Sequence, residues 1–430
     1  MQRYLLYAII MEWLVFSAIS WSATYSGGNG TITQPYRIAS VDDWQTFMTA
    51  TSDWNRCFIL MDDIDLQDIT LTPVGNAAIQ FTGFFNGNHH IIRNAAINTP
   101  SADYVGLFGH NTGRISDLGL ESVTMTGIQY VGGLLGINAR RGTSSGTVTG
   151  CYSTGTVSGG AESKYVGGLI GANAGTVSHC CSTCTVSNGS NSDVTGGLVG
   201  SNGGGTITAC CSTGPVSGYM GVGGLAGVNA PVTIWTYQGQ IIYPAAVTDS
   251  YSSGQVSGFR FVGGFTGNNS GAIKNCYSAG RVIGSFYTGG LVGDSPSGLF
   301  GTGSVVDSFW DTQTSGQTIS AGGEGKKTAQ MQMRTTFTNA GWDFSADDGT
   351  AAIWMMLRPG EDYPRLAWQD IYAGDIAGLY GVDLADYAEL AQHWMNTDCP
   401  SNCEDADIDS SGTVDSGDLS LLATHWLEGN

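Results

Sequence analysis

A short pattern of small and apolar residues returns along most of the chain, between residues 104 and 313. In each copy a glycine precedes Leu or Phe, and segments rich in Val, Thr and Tyr follow it, as in residues 146–153. The copies begin at Gly106, Gly133, Gly168, Gly197, Gly224, Gly264 and Gly290, with spacings of 27, 35, 29, 27, 40 and 26 residues. A period of this length is typical of a solenoid.

The pattern within each copy predicts short strands separated by glycine turns, with no stretch of helical periodicity. One such unit cannot bury its own apolar face, so the units must stack. In a stack, each strand bonds to the coils above and below, and glycines allow positive φ at the corners. The sequence therefore predicts a mainly β protein built as a β-helix, or β-solenoid.

Equivalent positions of the repeat form columns, one of Cys and Ser and the next of Cys and aromatic residues. One column holds Cys151, Cys180, Cys210, Ser250, Cys276 and Ser308, and the next holds Tyr152, Cys181, Cys211, Tyr251, Tyr277 and Phe309. The Cys181 and Cys184 pair could seed a metal site, but no second CxxC follows at zinc-finger spacing. Thiol packing in a narrow interior, with disulfides between adjacent coils, is the preferred interpretation.

The chain divides into five parts by pattern. An apolar run at residues 4–19, after Arg3, predicts a secretory signal peptide over residues 1–23, with an uncleaved anchor as the alternative. Residues 24–103 form an N-terminal cap and the first strands, with a helix that Ser40 caps. The repeat solenoid spans 104–321, a C-terminal cap and link spans 322–370, and a small α-helical domain spans 371–430. No membrane span is expected after signal cleavage.

Composition narrows the choice of partners. The chain of 430 residues contains 65 Gly, and its 16 Lys and Arg face 36 Asp and Glu, giving a net charge of −20. Such an acidic chain is not expected to bind nucleic acid. Together with the signal peptide, this composition predicts a secreted or cell-surface protein, in a compartment that permits disulfides.

Two inserts interrupt the repeat, at residues 140–146 and 231–245. The longer one carries Trp235, Tyr237 and Tyr243, whose rings could stack on sugar rings if the loop is exposed. Alternatively, these rings fold back onto the coil. The insert is therefore a candidate ligand loop, with polysaccharide as the candidate partner.

The strongest chemical motif lies near the C-terminus. Asp407, Asp409, Ser411, Thr413, Asp415 and Asp418 occupy positions 1, 3, 5, 7, 9 and 12 of a loop whose position 6 is Gly412. This is EF-hand spacing, in which a glycine makes the sharp bend and oxygen ligands surround a hard cation. We therefore expect calcium as the cofactor, bound by these six residues.

A second copy of this loop and its following helix begins 32 residues earlier, at Asp375. It keeps Asp375, Asp383 and Asp386, but Ala377 and Leu379 replace oxygen ligands. The sequence predicts one strong calcium site and at most one weak second site, formed by the three remaining aspartates. The two copies are expected to pack against each other.

Two family resemblances follow from these motifs. The repeats, as in YVGGLLGIN with CYSTGTVSG, resemble the GLUG-motif repeats of bacterial secreted and surface proteins, and residues 375–427 resemble a type I dockerin. The first resemblance implies a β-solenoid of an adhesin-like protein. The second implies calcium-dependent attachment to a cohesin-like protein, or to another component of the cell envelope.

Three classes of function remain open on these grounds. The preferred one is a secreted or cell-surface, non-catalytic adhesion or scaffold protein that docks through its tail. The second is a polysaccharide-degrading hydrolase or lyase, and the third is a carbohydrate-binding component of an extracellular complex or an orphan scaffold. Asp249 and Asp307 are the candidate catalytic carboxylates, because they share a column two coils apart, at roughly 10 Å, near the distance used by inverting glycosidases.

Overall fold

The computed structural model describes residues 25–237, 239–295, 303–344, 352–356, 358–369, 384–396, 406, 408 and 413–424. The protein is mainly β, with a solenoid of about 8 turns and only 11% helix. The predicted β-solenoid is therefore confirmed. Its coils stack through parallel pairing, and residues of successive repeats lie directly beside one another, as Cys181 lies beside Tyr152 and Cys211.

Three parallel sheets form the wall of the solenoid. The first contains ten strands: Tyr36–Ile38, Cys57–Leu60, Phe84–Asn86, Arg114–Ser116, Thr147–Thr149, Thr176–Ser178, Thr206–Thr208, Ala246–Thr248, Ala272–Lys274 and Ser304–Val306. The second contains seven: Phe108–Asn111, Leu135–Asn138, Ile170–Asn173, Val199–Gly203, Ala226–Ala230, Thr266–Asn269 and Val292–Asp294.

The third sheet bends around the rest of each coil. Its strands are Ile64–Asp65, Ile91–Arg93, Ala96–Asn98, Asp103–Val105, Gly119–Gly132, Tyr152–Gly167, Cys181–Ser182, Thr185–Ser187, Asp193–Gly196, Cys211–Ser212, Val216–Ser217, Met220–Gly223, Tyr251–Ser252, Val256–Ser257, Arg260–Gly263, Tyr277–Ser278, Val282–Ile283, Phe286–Gly289, Phe309–Asp311 and Glu324–Lys326.

Three antiparallel hairpins lie outside the wall: Arg140–Arg141 with Ser144–Ser145, Val232–Thr236 with Gly239–Tyr243, and Trp354–Met355 with Arg365–Leu366. The α-helices are Val41–Thr49, Thr312–Ser315, Thr328–Met331, Arg334–Thr338, Leu384–Gln392 and Ser416–Thr424, and Thr51–Asp53 and Ala367–Gln369 are 3₁₀ turns.

The core consists of inward columns of apolar side chains. Val148, Val177, Ile207, Val247 and Ile273 lie in register along the first sheet, and all are fully buried. The large residue of each glycine pair, from Leu134 to Leu291, points into the same core. Each such side chain contributes about 1.5–3 kcal/mol when it leaves water. The repeat therefore specifies the core one coil at a time.

A helix covers the N-terminal end of the stack. The Ser40 hydroxyl accepts from the Asp43 N–H at 3.2 Å and donates to the Asp43 carboxylate at 3.0 Å, which fixes the start of Val41–Thr49. Trp44 and Phe47 are buried against the aromatic rings of the first coils, including Phe85. The helix predicted from the Ser40 cap is confirmed, and it shields coils that would otherwise end in contact with water.

Buried asparagines form a continuous ladder at the end of the second sheet's strands. Each side-chain amide donates to the amide oxygen of the next coil, at 2.8–2.9 Å, along Asn111, Asn138, Asn173, Asn202, Asn229 and Asn269. All six are buried. The ladder satisfies polar groups that a narrow interior would otherwise leave unpaired, and it fixes the register between coils.

The ladder predicts a graded response to substitution. Asn202→Ala removes both an acceptor and a donor from the ladder, whereas Asn269→Ala removes only an acceptor, because the Asn269 amide nitrogen has no partner among the described residues. We expect Asn202→Ala to lower the free energy of unfolding by about 2–4 kcal/mol and Asn269→Ala by about 1–2 kcal/mol. Denaturant titration of both variants checks this order, and equal losses would contradict it.

The segment predicted as a C-terminal cap and link first continues the stack, since Glu324–Lys326 pairs with Phe309–Asp311. Residues 328–344, 352–356 and 358–369, which we call the strap, then pack on the outside of the solenoid. The Trp342 indole donates to the Asp307 carbonyl at 2.8 Å, and the Trp368 indole donates to the Ala209 carbonyl at 2.9 Å. The strap therefore extends back across several coils.

The strap buries the second column of the repeat. Tyr251, Tyr277 and Phe309 form one apolar cluster with strap side chains that include Phe337 and Trp354. The Tyr277 hydroxyl donates to the Pro364 carbonyl at 2.6 Å, and the Tyr251 hydroxyl donates to the Gln369 side chain at 3.1 Å. This outward face of the column is consequently not available to a ligand.

A protruding apolar hairpin as the candidate functional site

The longer insert forms a hairpin that projects from the solenoid. Trp235 lies opposite Gln240 and Ile234 lies opposite Ile241, so the two strands are in register to the tip. Trp235 is 77% exposed and Tyr237, at the tip, is fully exposed. Of the three aromatic residues that the sequence singled out, the structure therefore presents two to solvent.

Apolar side chains lie on both faces of this hairpin. Cross-strand neighbours share a face, which places Val232, Ile234, Ile241 and Tyr243 on one side and Trp235 with Ile242 on the other. Ile242 is 57% exposed, and Val232, Ile234 and Ile241 are also exposed. Exposed apolar side chains grouped in this way are typical of an interaction surface.

The third aromatic residue, Tyr243, lies at the base of the hairpin. The Arg140 guanidinium carbon stands 4.5 Å from the centroid of its ring, in a cation–π contact. Arg140 belongs to the shorter insert, so the two inserts meet. The sequence carried a signal for this contact that was missed: both inserts follow the ladder asparagine of their repeat, Asn138 and Asn229, and so leave the coil at the same corner.

Asp249 and Asp307 occupy corners of the coil. Their column is left-handed throughout, with φ of 48° at both aspartates and 52° at Asn275 between them. Asp and Asn tolerate this conformation better than other residues with a side chain. The Asn275 amide donates to the Asp249 carboxylate at 3.0 Å, and burial raises the pKa of Asp249. A left-handed turn therefore favours Asp at these positions, while His179 and Ala209 adopt the same conformation in the same column.

The cysteine column packs inside the solenoid. The Cys210 thiol donates to the Thr208 carbonyl at 3.2 Å, and the Ser250 hydroxyl donates to the Thr248 carbonyl at 2.7 Å, so Ser and Cys make the same bond. In the neighbouring column a disulfide joins Cys181 and Cys211 of adjacent coils. Cys184 lies in the core, apart from this disulfide. No cluster of metal-ligating side chains occurs in the described parts of the chain.

The proposed calcium ligands are only partly described. Asp407, Asp409 and Ser411 lie outside the described residues, as do Asp375 and Asp383 of the weaker site. Asp386 lies in the helix Leu384–Gln392, whereas Thr413, Asp415 and Asp418 lie at or near the start of Ser416–Thr424. The Asp415 carboxylate accepts from the Gly417 N–H at 2.7 Å, and the buried Asp418 carboxylate accepts from the Asp415 N–H at 2.8 Å.

This reciprocal arrangement caps the helix and also orients two carboxylates at its N-terminus. The donor atoms are all oxygen, which fits a hard cation such as calcium. Leu390 and Leu422 occupy equivalent positions in the two sequence copies, and both are buried in one small cluster with Val414. The two helices of the tail therefore pack together, as the duplication predicts.

Comparisons with known proteins support the fold and leave the family open. No family model matches the chain. It is 35% identical over 164 residues to halomucin of Haloquadratum walsbyi, covering 35% of this chain and 2% of that protein. It is also 33% identical over 94 residues to a "putative Gly-rich membrane protein" of Evansella cellulosilytica, covering 22% of this chain and 9% of the relative. The chain thus spans a small part of each relative.

The structure resembles a solved protein of Bacteroides ovatus described as a "putative immunoglobulin A1 protease". The TM-score is 0.55 at 22% sequence identity, with 80% of this chain and 96% of the other covered. At this identity the similarity shows a shared β-solenoid fold and nothing about activity. Among the described residues no helix is both long and apolar enough to span a bilayer.

Proposed function

We propose that this protein is a secreted or cell-surface, non-catalytic adhesion or scaffold protein. The observation that carries the proposal is the protruding hairpin, with Trp235 and Tyr237 exposed at its end. A stack of coils joined by parallel pairing and a buried amide ladder provides a rigid support for such a hairpin. Binding residues commonly lie on loops that a rigid scaffold positions.

The cellular location rests on three lines of support. The N-terminal apolar run has the pattern of a secretory signal. The Cys181–Cys211 disulfide fits an oxidising compartment. Relatives in sequence are named halomucin and a Gly-rich membrane protein, and these names favour a place at the cell surface. We also propose that the repeats of the solenoid are of the GLUG type.

For the tail, we propose a dockerin-like domain that binds calcium and attaches the protein to a cohesin-like partner or to the cell envelope. The oxygen-only ligand set and the capping carboxylates of Asp415 and Asp418 support it. Asp407, Asp409, Ser411 and the Thr413 carbonyl would complete the coordination in this proposal.

A direct test incubates the mature chain with a panel of soluble polysaccharides and proteins, and measures both retention and product release. The proposal predicts no product above that of a matched Asp249→Asn, Asp307→Asn double variant. Turnover that the wild type supports and this variant lacks would overturn the non-catalytic assignment, and would favour the polysaccharide-degrading alternative.

A further inference from the structure

We propose that the hairpin at residues 232–243 inserts into the surface of an anionic lipid bilayer. This inference rests on the proposed adhesive function and names the partner of the same site. A flat protein partner, or a second copy of the chain, covers one face of a two-stranded hairpin. Here apolar side chains are exposed on both faces, with Ile234 and Ile241 on one and Trp235 and Ile242 on the other. The apolar phase of a bilayer would surround the hairpin and cover both faces.

The polar groups of the hairpin argue against a sugar as the main partner. Sugar sites combine an aromatic face with polar side chains that bond hydroxyl groups. In this hairpin the Thr236 hydroxyl donates to the Gly239 carbonyl at 2.9 Å, within the turn. Four of the other exposed side chains, Val232, Ile234, Ile241 and Ile242, are β-branched aliphatics that offer no hydrogen bond, and they outnumber the described polar groups left for a sugar, the Gln240 amide and the Tyr237 hydroxyl. Trp and Tyr near the tip are the residues enriched at the interface between lipid and water.

The charge distribution fits the same partner. The chain carries a net charge of −20, yet no charged residue lies between Asp193 and Asp249. In the described structure, the charged group that contacts the hairpin is a cation, since the Arg140 guanidinium lies over the Tyr243 ring. The adjacent Arg141 is exposed. Lys and Arg beside an apolar wedge attract anionic headgroups. The hairpin, with these two arginines at its base, is thus suited to approach an anionic surface despite the acidic charge of the chain.

The depth of insertion is limited by the backbone. The outer edges of a two-stranded hairpin leave N–H and C=O groups without partners, and these groups must stay hydrated. The hairpin is therefore placed at the boundary of headgroups and acyl chains, about 5–10 Å deep, as for other interfacial segments. The tip of the hairpin, with Tyr237 and the neighbouring Trp235, lies deepest, whereas Ile242 and Arg141, nearer the base, stay at the level of the headgroups.

The test is flotation of the mature full-length chain with vesicles of phosphatidylcholine alone or with phosphatidylglycerol added. We expect binding to the anionic vesicles, a reduction of at least about tenfold in the partition coefficient for Trp235→Ser with Ile242→Ser, and a smaller reduction for Arg141→Gln. The matched control is Ile283→Ser with Phe286→Ser, which removes apolar side chains 43% and 54% exposed elsewhere on the solenoid. This control should bind like the wild type.

Quenching by lipids brominated in their acyl chains gives an independent readout. We expect quenching of the wild-type tryptophan fluorescence that decreases in Trp235→Phe, a variant that keeps an apolar ring and still floats. Unchanged melting temperatures confirm that the variants are folded.

Four results would overturn the proposal. Absence of vesicle binding together with hairpin-dependent retention on a polysaccharide would assign the hairpin to sugar and leave the adhesive function intact. Absence of vesicle binding with hairpin-dependent dimerisation would assign it to a second copy of the chain. Unchanged vesicle binding by Trp235→Ser with Ile242→Ser would place the lipid contact elsewhere. Loss of every hairpin-dependent interaction would remove the proposed adhesive function as well.

Discussion

Cys210→Asp should destabilise the solenoid by about 3–5 kcal/mol, whereas Cys210→Ser should cost about 1 kcal/mol or less. Cys210 is fully buried, and its thiol donates to the Thr208 carbonyl at 3.2 Å. A serine can donate to the same carbonyl, as Ser250 and Ser308 do in their own coils. A carboxylate cannot donate a hydrogen bond. Its buried charge would therefore lie beside this carbonyl oxygen without a partner.

Denaturant titration of the two variants measures this difference, and pH supplies a second check. Burial would raise the folded-state pKa of a carboxyl at position 210 above its unfolded value, so the folded state would bind the proton more tightly. The difference in the free energy of unfolding between Cys210→Asp and Cys210→Ser should therefore decrease as the pH falls from about 8 to about 5. Equal stability of the two variants at neutral pH would contradict a buried column.

Calcium should fold the tail, mainly through the loop that begins at Asp407. Four aspartates at positions 1, 3, 9 and 12 repel one another without the metal. The described core of the tail is small, with Leu390, Val414 and Leu422 among its few buried members, and it can offset little of this repulsion. Binding of the metal should therefore supply much of the folding free energy.

Isothermal titration of the full-length chain measures the affinity, and proteolysis with and without chelator reports on the folding of the tail. Asp407→Ala should weaken calcium binding by at least about tenfold, since it removes a ligand of the complete loop. Asp375→Ala is the matched control and should have less effect, because Ala377 and Leu379 already replace oxygen ligands in its loop. A larger effect of Asp375→Ala, or a tail equally resistant to protease in chelator, would contradict the assignment.

The columns of the solenoid could be predicted from the sequence because stacking translates the repeat into space. Residues at equal positions of successive repeats become neighbours, so the repeat alone was enough to align Tyr152, Cys181 and Cys211 in one column. The predicted column of small residues, from Cys151 to Ser308, is also buried along its length. The asparagine ladder was missed, although an asparagine closes the glycine motif in copies such as YVGGLLGIN and FVGGFTGNN.

The strap and the meeting of the inserts depend on contacts that no local pattern contains. Tyr251 reaches Gln369 across 118 residues, and the aromatic residues of the strap carry no periodicity that links them to the column they cover. Asp249 and Asp307 stay the candidate catalytic carboxylates that their spacing suggests. The left-handed backbone at these corners is a further contact-dependent feature, since it is a property of the folded coil.

Adhesion through the hairpin is tested most directly by the binding of labelled, mature protein to isolated bacterial envelopes. We expect saturable binding by the wild type and by Ile283→Ser with Phe286→Ser, and loss of at least about tenfold in affinity for Trp235→Ser with Ile242→Ser. Equal binding by all three proteins, with all three folded, would contradict the central role of the hairpin.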